Sequence, residues 1–497
     1  MTEYTISEIQ GLMEAGKLTA KGLTKNFLQR ISKIDKAGPK INSIIELNPE
    51  ALQIAEVLDE ERRNKKIRGP LHGIPILIKD NISTSDKMMT TAGSLALEGY
   101  RATHDAFIVH KLREAGAIIL GKTNLSEWAN FRSTRSTSGW SSRGGQTLNP
   151  YVLDRNPCGS SSGSAVAVAA NLCVGAIGTE TDGSIICPSH INSIVGIKSS
   201  IGLISRTGII PISHNQDTAG PMARTVEDAA IILNAIVGAD AEDPSTIKGN
   251  IEIQPDYTEF LDIDGLHEAR IGVARNFFGR NEYIDKIMEK AIKKMKELGA
   301  IIIDPTDFTI INDLQDLEYE VLLYDFKHDI NEFLKNNVPD DFPQSLNELI
   351  QYNNQNKDKI MPYFNQEIFK MAEEKGPLSG EEYKTALEKC QKLAQQEGID
   401  KIIKENQLDA IVAPSGGPAW LFDYINGDHS TGGSSSPSAV AGYPNITVPA
   451  GYVFGLPVGI SFIGGLFQES VLLKLAYAFE QASKVHRPPK YLKTLKI

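Results

Sequence analysis

The sequence predicts an α/β layer fold, and three observations carry that expectation. From about residue 70 to 240, short apolar runs alternate with Gly-containing turns and helical stretches, a pattern that favours layered α/β architecture over a sandwich or bundle. Apolar runs of the same kind return between 409 and 465. Between them, roughly 310 to 405, the chain is rich in Asn, Gln, Asp, Glu and Lys with helical periodicity and few strand-like blocks, which predicts helices covering one side of the sheet.

In chain order, Thr5 followed by Glu8 fits a helix capping box, and a second periodic segment runs from about Thr19 to Lys33. GIPILIK (73–79) and AIIL (117–120) read as strands around a helix from His104 to Glu114. SAVAVAANLCVGAI (164–177), small and apolar almost throughout, reads as a buried helix leading into a strand. TVEDAAIILNAIVG (225–238) is an amphipathic helix, DPSTIKG from 243 a surface loop, and ARIGVAR (269–275) and AIIIDP (300–305) are strands around a charged helix at about 281–298. DAIVAP, NITVPA and VGISFIGG follow as strands, the Ser/Gly run at 430–438 as a loop, and ESVLLKLAYAFEQASK as the last helix. The expected organisation is one large catalytic domain: an N-terminal helical wrap (1–65), the core (66–309), a helical cap or insertion (310–405) and a return to the core (406–497).

Composition bounds the function. The 497 residues, 41% hydrophobic, suffice for a large core. A formal charge of -11 gives no general attraction to nucleic acid or an anionic membrane. Cys158, Cys173, Cys187 and Cys390 form no CxxC pair or zinc cluster and read as packed structural thiols. The start lacks a basic region followed by an apolar run, and the apolar runs break before membrane-spanning length, so cytoplasm is the expected compartment. His104 and His110 stand at i,i+6, not at metal-motif spacing, and read as structural or surface residues, whereas His190 and His214 flank the Ser-rich segment, where substrate contact is open.

That segment, CGSSSGSAVAVAANLCVGAIGTETDGSIICPS (158–189), carries the chemistry. A serine hydroxyl is a weak nucleophile at neutral pH and needs a base. No G-x-S-x-G elbow with ordered acid and histidine is present, but Lys79 ends a strongly apolar run, a poor place for a charged amine. Glu180 and Asp182 could read as the paired acids of a glycosidase, although their Ser/Gly context favours backbone positioning.

With Lys79 in a lysine motif and PCGSSSGSA followed by GTETDGSI, the sequence strongly resembles the amidase signature family. The resemblance implies a large mixed central sheet flanked by helices, with a helical cap, and a Ser-Ser-Lys triad. Ser184 would be the nucleophile, Ser160 the relay preceded by a cis peptide bond, and Lys79 the ultimate base. Backbone N–H groups of Thr181, Asp182, Gly183 and Ser184 would form the oxyanion hole, with Ser161 and Thr179 in support. Trp128, Trp140 and Trp420 are candidates for the substrate pocket. No cofactor and no metal is implied; the partners are a small amide or peptide-amide substrate and water, and the oligomeric state is left open.

Within the family, TNLSEWANFRS (123–133) and SGWSSRGGQTLNP (138–150) resemble the peptide-amidase branch, which removes C-terminal amides from peptides. DGSII departs at Asp182 and Ile186 from the GGSIR of many relatives, so Asp182 is expected to turn its carboxylate away from the oxyanion or to engage a donor. The same triad residues would also suit the glutaminase subunit of an aminoacyl-tRNA amidotransferase, and a noncatalytic binding or scaffold protein on this fold is the alternative of a different class.

Overall fold

The computed structural model of the chain describes residues 2–247 and 253–495. Its strands are β1 (Ile44–Leu47), β2 (Pro75–Lys79), β3 (Ile118–Thr123), β4 (Trp140–Ser141), β5 (Gly145–Gln146), β6 (Gly175–Glu180), β7 (Val195–Lys198), β8 (Thr218–Ala223), β9 (Arg270–Val273), β10 (Ile301–Ile303), β11 (Ala410–Pro414), β12 (Asn445–Val453) and β13 (Leu456–Ile463). Eleven of them make one sheet in the order β1-β3-β2-β6-β8-β7-β12-β13-β11-β9-β10, while β4 and β5 pair separately. The sheet is mixed: β2 lies parallel to β3 and β6, β6 antiparallel to β8, and β9 parallel to both β10 and β11. All five residues of β2 and all six of β6 are buried, as central strands covered on both faces require.

The helices follow from their caps and apolar spacing. Thr5 and Glu8 close a reciprocal capping box on Ile6–Glu14, and Thr19 caps Ala20–Ile34 by accepting from the Gly22 N–H. The N-terminal wrap is not purely helical, because Ile44–Leu47 adds an antiparallel edge strand to β3. Every residue of the helix Ser162–Ala169 is buried. Its small side chains admit close neighbours: a Cβ on Gly163 would sit 2.1 Å from the Ser43 carbonyl oxygen.

The cap comprises Ile311–Asn337, Leu346–Gln355, Lys357–Ile360, Glu367–Glu373 and Glu381–Ala394. It docks through two apolar clusters. One joins Phe326 and Phe369 to Trp128 and Phe131 of the core, and the other joins Val321, Tyr324 and Cys390 to Ile411 and Val440.

Three local expectations change. The 430–438 run is loop only in its first part, because Pro437 sits in the first turn of a helix, Ser436–Ala441. In DPSTIKG, Pro244–Thr246 forms a short 3-10 turn, and the last two residues lie outside the described residues. Cys158 and Cys187 are joined by a disulfide, whereas Cys173 and Cys390 are buried free thiols. No helix among the described residues is long and apolar enough to cross a membrane.

Candidate active site

Lys79 ends the buried strand β2 and is fully shielded from solvent. Its Nζ donates to Ser160 Oγ at 2.7 Å, Thr179 Oγ1 at 2.8 Å and the Thr179 carbonyl at 3.1 Å. Burial disfavours the ammonium and lowers the amine's pKa to about 7, against the opposing pull of Asp217 and Glu180. Thr179 thus bonds directly to the amine, and Asn81 Nδ2 donates to the same hydroxyl oxygen at 3.1 Å.

The Gly159–Ser160 peptide is cis, and the Ser160 carbonyl accepts from the Ser126 N–H at 3.1 Å. Ser161 joins the two serine segments: its N–H donates to the Ser184 carbonyl at 3.1 Å, and its hydroxyl donates to the Thr179 carbonyl at 3.0 Å. Ser162 and Ser164 point elsewhere, donating to the carbonyls of Cys158 and Ile177 at 2.5 and 3.1 Å. Ser184 is 8% exposed, so a small group can reach it while Lys79 stays dry.

Residues 181–184 form a tight turn after β6. Gly183 has φ +74°, a left-handed conformation that costs any residue with a Cβ, and a Cβ there would lie 3.0 Å from Ser435 Oγ. Glu180 fixes the far side of the turn, since one carboxylate oxygen accepts from the N–H groups of Ile185 and Ile186 at 2.7 and 2.9 Å. Among the described residues, the N–H groups of Asp182, Gly183 and Ser184 make no hydrogen bond to a protein acceptor. They are the geometry's available donors for a developing negative charge.

Asp182 engages donors: Ser435 Oγ and Ser436 Oγ give hydrogen bonds to its two oxygens at 2.5 and 2.6 Å. Beside the turn, Thr181 Oγ1 donates to Asp217 at 2.5 Å, and burial raises that carboxyl to about 6. A cavity of about 260 Å³ reaches Asn81, Thr179, Thr181, Asp217, His214 and Asp329.

Neither the three tryptophans nor Lys79, Ser160 and Ser184 are among the residues lining this cavity. Trp128 packs edge-on against Phe369, and Trp140 against Phe364, with the Arg132 guanidinium 5.7 Å from the Trp140 ring. Trp420 donates from Nε1 to Asp428 at 3.1 Å. His190 is buried, its pKa pushed down to about 3, and stays neutral in the core. His104 and His110 are exposed. His214 reaches the cavity rim, where it and His328 both bond to Asp329 at 2.9 Å. These three are the group of metal-type ligands that the described residues bring within 4.8 Å of one another. Asn81, two residues after Lys79, was not singled out in the sequence reading, and Asp217, Ser435 and Ser436 escaped it because none stands at a spacing that points to the triad.

Known proteins match the chain along its length. The amidase family model covers residues 23–473. A probable amidase of Arabidopsis thaliana is 44% identical over 501 residues, spanning 99% of this chain and 92% of the relative. The crystal structure of native peptide amidase from Stenotrophomonas maltophilia superposes with a TM-score of 0.93 at 46% identity, with 99% of each chain covered. A glutamyl-tRNA(Gln) amidotransferase component from Thermoanaerobacter pseudethanolicus is more distant, 34% identical over 519 residues that cover 98% of this chain and 97% of the relative. With that family model and these full-length likenesses, the chain belongs to the amidase signature family.

Proposed function

We propose that this chain is a serine amidase that hydrolyses peptide C-terminal amides, or a related small carboxamide, through an acyl-enzyme on Ser184. Ser184 attacks the amide carbon while its proton passes through Ser160 to neutral Lys79. The tetrahedral oxygen is stabilised by N–H groups of the 181–184 turn, each effective donor contributing about 3 kcal/mol in the transition state. The proton then returns to the leaving nitrogen, ammonia or an amine departs, and water uses the same path to release the acid.

One observation carries the reading: a fully buried lysine amine 2.7 Å from the Ser160 hydroxyl, with its pKa brought down to about 7. At pH 7.4 roughly 70% of such amines are neutral, against about 0.1% for a free lysine near pH 10.4. The Asn81 amide supports Lys79 by holding the Thr179 hydroxyl that accepts from it.

The 46% likeness to a peptide amidase favours a free-standing hydrolase over the glutaminase component of an amidotransferase. The test is ammonia release from a panel of peptide amides, amino-acid amides, aryl amides and glutamine, with Ser184→Ala run alongside. Turnover of peptide amides that vanishes in Ser184→Ala is expected. Hydrolysis surviving that substitution, or glutamine turnover that requires added partner proteins, overturns the reading.

For the compartment we propose the cytoplasm, and the Cys158–Cys187 bridge supplies its test. Free thiols at both positions in rapidly alkylated cells accord with it; a bridge already formed in the cell points to an oxidising compartment.

A further inference from the structure

A second cluster of metal-type ligands stands apart from the proposed triad, where the cap meets the core. His328 and Asp329 lie on the cap helix Ile311–Asn337, and His214 lies on the loop between β7 and β8. Asp329 sits between the two rings, with one carboxylate oxygen 2.9 Å from His214 Nδ1 and the other 2.9 Å from His328 Nδ1. The ring centroids are 6.1 Å apart. His214 and Asp329 also line the cavity of about 260 Å³, which gives a small ion a way in.

The ligand atoms are held in place from behind. The Asp329 carboxylate is 9% exposed and accepts from the His214 backbone N–H at 2.6 Å. One helical turn earlier, Asp325 clamps the same loop, accepting from Ser213 Oγ at 2.5 Å, Asn215 Nδ2 at 2.8 Å and Tyr383 Oη at 2.7 Å. Those donors occupy Asp325, which therefore fixes the loop as supporting groups around a metal site do.

We propose that His214, His328 and Asp329 bind a divalent transition-metal ion of the zinc class, which fastens the cap helix to the loop before β8. The site is independent of the amide chemistry proposed for Ser184. Two imidazoles and one carboxylate suit zinc, copper or nickel, whereas magnesium and calcium take oxygen ligands. Zinc bonds of about 2.0–2.1 Å place tetrahedral ligands about 3.4 Å apart, so each nitrogen must draw back from the carboxylate by about 0.5 Å. The two histidine side chains, 43% and 52% exposed, have room for that movement. Without a cation, Asn215 Nδ2 donates to His214 Nε2 at 3.2 Å, so Nδ1 carries the hydrogen that faces Asp329. A cation on Nδ1 moves that hydrogen to Nε2 and releases the Asn215 contact, while Asn215 keeps its bonds to Asp325 and the Tyr383 oxygen.

The test is calorimetric titration of Zn2+ into EDTA-dialysed protein at neutral pH, for wild type, His328→Ala and His110→Ala, with Mg2+ as the comparison ion. His110 pairs with Glu114 at 3.1 Å on an exposed helix and offers only two ligands, so its variant reports incidental surface binding. Wild type and His110→Ala are expected to bind one equivalent of Zn2+. His328→Ala should bind at least about 100-fold more weakly, since losing a direct ligand costs no less than losing a supporting group. Zn2+ should raise the melting temperature of wild type and leave that of His328→Ala unchanged. Should the variant fail to fold, a wild-type crystal soaked in Zn2+ gives a second readout, with anomalous density expected between the three side chains. The absence of a one-to-one isotherm, equal affinity in His328→Ala, Mg2+ binding as tight as Zn2+, or zinc density only elsewhere would each overturn the proposal. None of these readouts uses ammonia release, so failure of the amidase reading would leave them unchanged.

Discussion

Thr179→Val probes the proposed proton path without removing any member of the triad. Thr179 Oγ1 lies 2.8 Å from Lys79 Nζ, so its oxygen stabilises the ammonium more than the amine. A hydrogen bond to a charged group contributes about 1.5–3 kcal/mol, and one pKa unit corresponds to about 1.4 kcal/mol. Valine keeps the branched shape, while Ser160 Oγ and the Thr179 carbonyl remain as acceptors at 2.7 and 3.1 Å. Lys79, at about 7 in the wild type, should therefore fall by about one unit. Below its folded pKa the amine is protonated and cannot take the Ser160 proton, so kcat/KM declines tenfold per pH unit on the acid side. In Thr179→Val that decline should begin about one unit lower, near pH 6. Asn81 loses one of its two acceptors too, keeping the Ile210 carbonyl at 3.4 Å, which lowers the plateau, but an amide does not itself titrate. The assay is kcat/KM for one peptide amide from pH 5 to 9. An active Thr179→Val enzyme whose acid limb stays put or shifts to higher pH would show that Lys79 is not the titrating base.

Lys79→Met should abolish turnover and stabilise the fold, most strongly at low pH. A lysine depressed from 10.5 to about 7 weakens the fold below pH 7 by at most about 5 kcal/mol, a penalty that fades by pH 10.5; melting temperatures at pH 6 and 10 should show the gain shrinking as pH rises. Gly183→Ala should cost about 1–2 kcal/mol from the left-handed turn and lower kcat more than KM, measurable by urea unfolding and steady-state kinetics; a variant with wild-type kcat would free the turn from its proposed role. Replacing Cys158 and Cys187 by serine should cost about 3.5 kcal/mol, the loop entropy of a bridge across 29 residues, and equal urea midpoints for oxidised and variant protein would contradict that.

What the sequence made legible was local or motif-bound. The capping box at Thr5 and Glu8, the buried strand ending at Lys79 and the small-residue helix after Ser161 all follow from neighbours within a few positions. The contacts holding Asp182 were hidden, because Ser435 is 253 residues away and nothing in the sequence pairs the 430–438 run with the 181–184 turn. The tryptophans could not be assigned from the sequence for a physical reason: a large ring suits a core or a cleft equally, and partners such as Phe364 for Trp140 and Phe369 for Trp128 lie far away in the chain. The cysteine bridge was missed because Cys158 and Cys187 have no recognisable spacing; it forms because the two serine segments they flank are brought together.

The buried charges around the proposed triad tie the cap to the 181–184 turn. Lys79, Glu180, Lys198 and Glu318 are all buried, and each is costly unless hydrogen-bonded. Lys198 meets that need by donating to the carbonyls of Ser438 and Tyr443 at 3.1 and 2.7 Å, which anchors the short helix Ser436–Ala441. The residues at the start of that helix, Ser435 and Ser436, hold Asp182, and Glu318 of the cap reaches the same turn through Gln216, whose Nε2 donates to Glu318 Oε1 at 2.9 Å and to the Thr181 carbonyl at 3.4 Å. Removing the cap would strip Gln216 of Glu318 and expose the core face around Trp128 and Phe131. On the proposed reading the cap helices form the far wall of the 181–184 turn, and a variant lacking them is expected to lose the turn's geometry even where the side chains of Lys79, Ser160 and Ser184 remain.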